Sequence, residues 1–525
     1  MRIFVFRRDL RLYDNTGLIL CMTDAIESGD EVLLIFVYNR EQIDASKNPY
    51  HTSNGVQFMV ECLEDLDSAI RGLDGGRGSM HMFMVENGND EAELFSRLSA
   101  SGSRSGGGRS RNNRGGKGNG INQVTFYWNA DITPYARERD ARNRETILSS
   151  NGNVIECEDY TLFTMNDPET KTAQTGGAYK VFAPFYAKRS ALHSKIGNEQ
   201  ISESLLQSVK FVNDFGHGDV KKWKTDKNIS DKYVVNPELA QRGGRCLAIR
   251  ILDTIGSGSF ENYEDERNEL ANERGTTNLS AYIKFGCVSV REVYRRVYDA
   301  HGIDHGIIRQ LYFRDFYHAL AWFHPRVLKG MTAKDKNDKN APFDERVNER
   351  ALKWRRIDGE AKADFTAWKT GTTGTPLVDA GMRQLNHTGY MHNRARMTAA
   401  MYLTKDLYVD WREGERYFAE RLVDYDPINN SAGWQWSASV GSDAAPYFRI
   451  MNPYIQQLRF DKDAQYVKRW VPELHSVPAK DVTRWDRADV RAIYTGISYP
   501  APIVQDRRAA TERVKSHFKT ALAVK

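Results

Sequence analysis

Short apolar runs alternate with helical stripes over the first third of the chain. Ile3 to Phe6 is one such run, and EVLLIFVY, from Glu31 to Tyr38, is longer and nearly unbroken. His81 to Val85, Val124 to Trp128 and Asn153 to Cys157 are three more. A strand covered on both faces needs no polar alternation, so these runs predict buried parallel strands. Between them, helical patterns lie near 16–28, 53–72, 90–99 and 135–150. Repeated β–α alternation predicts a doubly wound parallel sheet. No G-x-G-x-x-G stands at a strand-to-helix turn, so an ordinary dinucleotide site is not predicted there.

The pattern changes twice further on. Residues 161–235 read as an irregular connector, with GGAYKVFAPFYAKR (176–189) and GDVKKWKTDKN (218–228) as landmarks. From Gly243 onward the periodicity is helical, with no convincing strand alternation. The expected organisation is an α/β domain over 1–160, the connector over 161–235, and an all-helical domain over 236–525. Ser101 to Gly120 (SGSRSGGGRSRNNRGGKGNG) is a low-complexity basic stretch, expected as a flexible insertion before the fourth strand.

Composition narrows the class only modestly. The 525 residues are 40% hydrophobic, enough for real cores, and Lys+Arg 74 against Asp+Glu 69 gives +5. That balance permits nucleic-acid binding through a local patch without demanding it. Five scattered cysteines (Cys21, Cys62, Cys157, Cys246, Cys287) show no metal-ligand spacing and read as reduced thiols of an intracellular protein. No secretory segment or membrane-spanning run is apparent. The expectation is an unsecreted monomer, cytoplasmic or nuclear.

The densest chemistry lies between Thr373 and Trp436. Asp379, Arg383, Asn393, Arg394 and Arg396 recur inside an otherwise apolar helical pattern, and Asp424 and Asp426 precede Asn429 and Asn430. Buried polar groups are costly unless paired, so this density implies either a structural network or a polar ligand.

TGTPLVDAGMRQLNHTGYMHNRARM, KDLYVDWREGERYF and GWQWSASVGSDAAPYFRIMNP, together with the opening FRRDLRLYDN, resemble the DNA photolyase/cryptochrome family. The likeness is strongest to its class I cyclobutane pyrimidine dimer photolyases. The resemblance implies FAD in the helical domain and blue-light-driven repair of pyrimidine dimers in DNA. FAD would be held by Tyr263, Thr276, Thr277, Leu279, Ser280, Arg314, Asn393, Arg396, Asp424, Asp426 and Asn430. Arg396 would pair with Asp424 beside the ring, and Asn430 would face flavin N5, serving it protonated or not. Read without the resemblance, TTNLS is a plain helix cap. Trp434, Trp411 and Trp354 match an electron relay.

For the lesion, the resemblance implies a cavity for flipped-out bases, lined by Asn393, Met397 and Trp436. Arg267, Arg394 and Arg449 match positions near phosphates. The family's Glu and Trp at the two dimer-facing positions are replaced by Gln310 and Phe313. Gln can hydrogen-bond a pyrimidine but carries no negative charge, so weaker dimer binding or slower repair is expected. Gln310 also occurs in (6-4) photolyases, but their two histidines are Asn393 and Met397 in this chain. That reading ranks second, beside a photoreceptor that repairs nothing; a preference for single-stranded DNA stays open. WNADITPYARERD (128–140) lies where an antenna chromophore would meet the first domain. It lacks the Glu of folate-binding relatives, leaving a deazaflavin, a flavin or no antenna.

Overall fold

The computed structural model describes residues 1–73, 80–101, 123–167, 179–197, 203–212, 218–225, 229–329 and 352–523. Apart from its first residue, the basic stretch at 101–120 lies outside them.

Five parallel strands form one sheet: β1 (Arg2–Phe6), β2 (Val32–Asn39), β3 (His81–Val85), β4 (Thr125–Asn129) and β5 (Asn153–Cys157). Their order is β3-β2-β1-β4-β5, with Ile3 opposite both Leu33 and Phe126. The helices α1 (Thr16–Ser28), α2 (Ser53–Leu73), α3 (Gly88–Ser101) and α4 (Pro134–Ser149) connect them. The order reverses beside β1, as a doubly wound sheet requires. Alternate residues serve opposite faces. Ile3, Val5, Leu33, Ile35, Phe126 and Trp128 pack under Leu94, Phe95, Leu98 and Ile147 of α3 and α4. Phe4, Phe6, Leu34 and Phe36 face Leu18 and Met22 of α1 and Phe58 and Leu63 of α2.

The core on that latter face does not stop at the α/β region. It continues through Phe182 and Phe185, which lie on a helix of the connector, into Tyr282, Phe285, Val293, Leu311, Tyr312 and Phe316. One close approach joins the parts. Leu10 N donates to Phe285 O at 3.1 Å, and Gly286 follows in the left-handed region at φ 73°. A Cβ at Gly286 would collide with the Arg8 carbonyl, so glycine is required there twice over.

Beyond Tyr263 the regular elements among the described residues are helical. Those that matter for the site are α5 (Ser280–Phe285), α6 (Gly306–Phe323), α7 (Pro376–Thr388), α8 (Asn393–Met401), α9 (Trp411–Arg421) and α10 (Pro427–Ala438). A second core gathers Trp368, Met382, Leu403, Trp411, Phe418, Trp434 and Phe518. Their N-termini are cut by side-chain caps: His392 accepts from Arg394 N before α8, Asp410 from Arg412 N before α9, and Asp426 from Ile428 N and Asn429 N before α10. A wider π-type turn, Tyr402–Asp406, follows α8 and buries Lys405, whose Nζ donates to Ala438 O and Ser439 Oγ at the end of α10. No helix among the described residues is long and apolar enough to cross a membrane.

Candidate active site

A cavity of roughly 480 Å³ opens where the two cores meet. Ile307, Leu311 and Val293 line it from the first core, and Phe418, Leu422, Trp434 and Ala400 from the second or beside it. Of the residues expected from sequence, Tyr263, Thr277, Leu279, Ser280, Gln310, Phe313, Arg314, Asn393, Arg396, Met397, Asp424, Asp426, Asn430 and Trp434 also line it. Residues from 263 to 434 thus converge on one space.

One wall is an ion pair with a spare acceptor. Arg396 Nη2 lies 3.0 Å from Asp424 Oδ2, and Ser280 Oγ donates to the same oxygen at 2.7 Å. Arg396 Nε is held by Met391 O at 2.6 Å, and its guanidinium lies over Tyr390. Asp424 Oδ1 is buried and has no hydrogen-bond partner. An unmatched buried carboxylate oxygen is expensive, and a ligand N–H would satisfy it.

A second wall is shared with the α/β region. Asp426 caps α10 through Oδ1, while its Oδ2 is 3.3 Å from Arg8 Nη1 and 4.0 Å from His318 Nε2. Arg8 also meets Asp131 at 3.4 Å and lies over the Tyr160 ring. Burial works to raise the Asp426 carboxyl, but Arg8, His318 and Arg314 hold it well below the usual range. Burial, then Arg314, pushes His318 down to about 3, so it stays neutral. Lys284 lies at this end as well. Burial, then Arg8, lowers it to about 7, and burial lowers Arg314 too. Two desolvated cations on the lining suit an anionic group such as a phosphate.

The far side is more open. Phe313 stacks face to face on Phe182 from the connector, with centroids 3.4 Å apart and planes within 8°. One face of Phe313 is therefore covered, and Phe182 stiffens it from behind. Gln310 stands one turn earlier on α6. On α8, exposed Asn393 touches Met397, Nδ2 to Sδ 3.6 Å. Burial, then Arg396 and Arg394, pushes His392 down to about 4, leaving it a neutral cap with no acid to offer.

Other expected residues lie away from the lining. Thr276 bonds Asn278 Oδ1 at 3.3 Å and interacts with Tyr390. The six-residue helix α5 has its Ser280 hydroxyl committed to Asp424, so the expected hydroxyl-rich phosphate turn is only partly available. Trp436, expected in the cavity wall, is half-buried and outside the lining, because it sits two residues beyond Trp434 on α10 and faces another way. Arg267 lies over Tyr263, and Arg394 binds Asn268 Oδ1 at 2.8 Å and covers Phe460; Arg449 is exposed. Trp411 is fully buried at the start of α9, and Trp354 packs on Tyr408 with centroids 5.0 Å apart. Trp434 meets Phe418 at 4.9 Å and Trp368 at 6.1 Å. Gly414 makes room for it, since a Cβ there would overlap the indole.

Lys284 on the lining, and Arg8, Trp368 and Glu415 behind it, were among the residues not singled out from sequence. Arg8 lay in a recognised motif but far from the site in the chain. Lys284 followed TTNLS without comment. Trp368 and Glu415 looked like ordinary helix residues, although a carboxylate four positions after Trp411 on a buried face was a readable signal. Glu415 accepts from Asn430 Nδ2 at 2.8 Å, and its backbone oxygen accepts from the same nitrogen at 3.1 Å. Both amide hydrogens of Asn430 are thereby used. The side-chain atom without a protein partner among these contacts is the acceptor Oδ1.

The family model described as the FAD binding domain of DNA photolyase matches residues 307–520, and the DNA photolyase model matches 2–100 and 117–203. A deoxyribodipyrimidine photo-lyase of Streptomyces griseus is 32% identical over 524 residues, 98% of each chain. The archaeal photolyase from Sulfolobus tokodaii, solved with two FAD molecules, superposes with a TM-score of 0.75 at 30% identity, over 99% of both chains. A bacterial class III photolyase from Agrobacterium tumefaciens gives 0.77 at 26%, covering 100% of this chain and 98% of that one. The cavity fits the flavin nucleotide these matches imply: Asp424 Oδ1 awaits a donor, and Lys284 and Arg314, the latter already paired with Asp315 at 3.4 Å, put positive charge on the lining. Fold, cavity and full-length similarity agree that the chain belongs to the DNA photolyase family and carries its FAD-binding domain.

Proposed function

We propose that this protein repairs cyclobutane pyrimidine dimers in DNA under blue light, as a deoxyribodipyrimidine photo-lyase. One observation carries the reading: a single cavity joins the Asp424–Arg396 wall and Asn430 to an open rim of Gln310, Phe313, Asn393 and Met397. Reduced FAD held there would supply the excited-state electron for splitting the dimer ring, with no net redox change.

The chain's residues divide the remaining work. Arg396 puts positive charge beside the ring, which stabilises an electron-rich flavin, and Asp424 orients Arg396 while accepting from the ligand. Tyr263, Thr277, Leu279, Ser280 and Arg314 line the rest of the cofactor's place, with Lys284 and Arg314 meeting its phosphates. Extruded bases stack on Phe313, lie against Met397, and hydrogen-bond to Gln310 and Asn393. Arg267, Arg394 and Arg449 meet phosphates without reading sequence. Trp354, Trp411 and Trp434 conduct electrons from the surface toward the cavity. The division at 1–160, 161–235 and 236–525 follows the same scheme, and the protein acts as an intracellular monomer. A second chromophore would sit beside the 128–140 stretch, and the two-FAD neighbour makes a flavin the reading to test first.

The (6-4) reading is not favoured, since no histidine is among the described residues that line the cavity and His392 stays neutral. The photoreceptor reading is not favoured by full-length likeness to named photo-lyases. The test is ultraviolet-treated oligo(dT) incubated with reduced, FAD-loaded protein under blue light, with the products separated by chromatography. Dimer loss is expected; unchanged dimers under light overturn the proposal.

A further inference from the structure

Cys62 and Cys287 stand 225 positions apart in the chain, yet their sulfurs lie 3.2 Å from each other. Cys62 is on α2 of the α/β region; Cys287 follows Gly286, just past the end of α5. Both are buried in the core that runs from one region into the other. The pair sits beside the joint where Leu10 meets Phe285 and Gly286 packs on the Arg8 carbonyl. Hydrogen bonds hold both residues in place. Gly244 N donates to Cys62 Sγ at 3.3 Å, Cys287 N to Tyr282 O at 2.9 Å, and Arg245 Nη1 to Cys287 O at 2.8 Å. The Cys287 thiol donates to Cys62 Sγ, so the Cys62 sulfur accepts twice. A disulfide needs about 2.05 Å between its sulfurs, so an approach of roughly 1 Å would close the bond.

We propose that Cys62 and Cys287 are an oxidation site, at which hydrogen peroxide converts the two thiols into a disulfide that staples α2 to the helical domain beside the cavity. The inference stands apart from the FAD reading and does not rest on it. Two donors aimed at one sulfur favour its thiolate, so Cys62 reacts first. Its sulfur attacks peroxide: an S–O bond forms as the O–O bond breaks, giving a sulfenic acid and one water. The Cys287 sulfur then displaces that oxygen as a second water, and the S–S bond forms. The two thiols give up two electrons and two protons in all, and one peroxide becomes two waters.

Burial holds the Cys62 thiol well above its ordinary range, so attack waits on openings of the seam. Exposed Cys246, two residues after Gly244, shows that solvent reaches the adjoining turn. The consequence reaches the cavity through Lys284, which lines it, feels Cys62 and stands three residues before Cys287. Once closed, the bond ties that segment to α2 and removes the freedom of a long loop from the unfolded chain.

The experiment treats the full chain, first reduced with dithiothreitol and freed of it, with hydrogen peroxide. Remaining thiols are alkylated in denaturant, and an unreduced digest is read by mass spectrometry. A peptide joining Cys62 to Cys287 is expected after treatment and not before. The thermal midpoint is expected to rise by about 2–5 °C, and dithiothreitol should reverse both changes. C246S should behave as wild type, while C62S and C287S should show neither the joined peptide nor the rise. Recovery of Cys62 and Cys287 alkylated or singly oxidised, with no joined peptide, overturns the proposal. So does a rise in midpoint that C287S shows as well. If the serine variants do not fold, wild type decides: a joined peptide whose reduction leaves the midpoint unchanged overturns the staple.

Discussion

Replacing Arg8 with methionine should damage a site more than four hundred residues away in the chain. Arg8 is 16% exposed and stands between two buried carboxylates, Asp426 at 3.3 Å and Asp131 at 3.4 Å. At an effective dielectric constant near 20, each contact is worth about 4 kcal/mol before desolvation is charged against it. Methionine keeps much of the packing over Tyr160 but leaves two buried anions facing each other. Breaking a buried pair by removing one partner costs about 3–5 kcal/mol. His318 is held down chiefly by its own burial and by Arg314, both of which remain in the variant, so it is a poor substitute for the missing charge. The expected loss is therefore about 3 kcal/mol of unfolding free energy at neutral pH, measurable by urea denaturation followed through tryptophan fluorescence. Because Asp426 lines the cavity, FAD affinity should fall as well. The sign with pH is definite. Asp426 is depressed in the folded protein, so its contribution is present above the ordinary carboxylate range and lost as pH falls through its folded value. R8M raises that folded value, so its deficit should be large at neutral pH and shrink in acid. In an Asp426→Asn background the effect of R8M should drop by about half. A neutral-pH deficit below about 1 kcal/mol with unchanged FAD binding would refute the reasoning, since it would make the lock a surface-type pair.

Further outcomes follow from the same geometry. D424N keeps the shape of the Asp424 side chain but removes the charge opposite Arg396, and should weaken FAD binding by about 100-fold, measured by flavin fluorescence on dissociation. F313A should cost about 10- to 100-fold in binding to dimer-containing DNA by fluorescence anisotropy, while affinity for undamaged duplex stays unchanged; F182A should give a smaller loss in the same assay, because it removes only the ring behind Phe313. Lys405 is lowered by burial from 10.5 to about 7, so the folded protein binds fewer protons than the unfolded chain between those values, and stability from this residue rises with pH there. K405M should abolish that slope, about 1.4 kcal/mol per pH unit, in denaturation curves taken between pH 7.5 and 9.5. Gly414→Ala should displace Trp434 and slow light-driven reduction of bound FAD, read as the rate of bleaching of the oxidised flavin band.

Periodicity along the chain determined the architecture. The five apolar runs became β1 to β5 because a parallel strand buried on both faces has little use for polar residues, and α1 to α4 fell between them as the spacing required. Local order also placed Asp424, Asp426 and Asn430 together, since they lie within seven positions at the start of α10. What only the tertiary structure decided is how those groups are partnered. Arg8 and Asp426 are 418 residues apart, and Phe182 reaches Phe313 from the connector. Trp436, two positions past Trp434, turns out of the cavity because a helix rotates by about 200° over two residues. The same convergence of helices gave Asn430 its direction: nothing in Asn429–Asn430 as a string says which end of an amide faces a ligand, and it takes two acceptors on α9, one of them a buried carboxyl, to settle it. Periodic burial is a local property that each segment carries in its own composition. Pairing of polar groups is a property of distances in space, which arise only after the two cores have closed on each other.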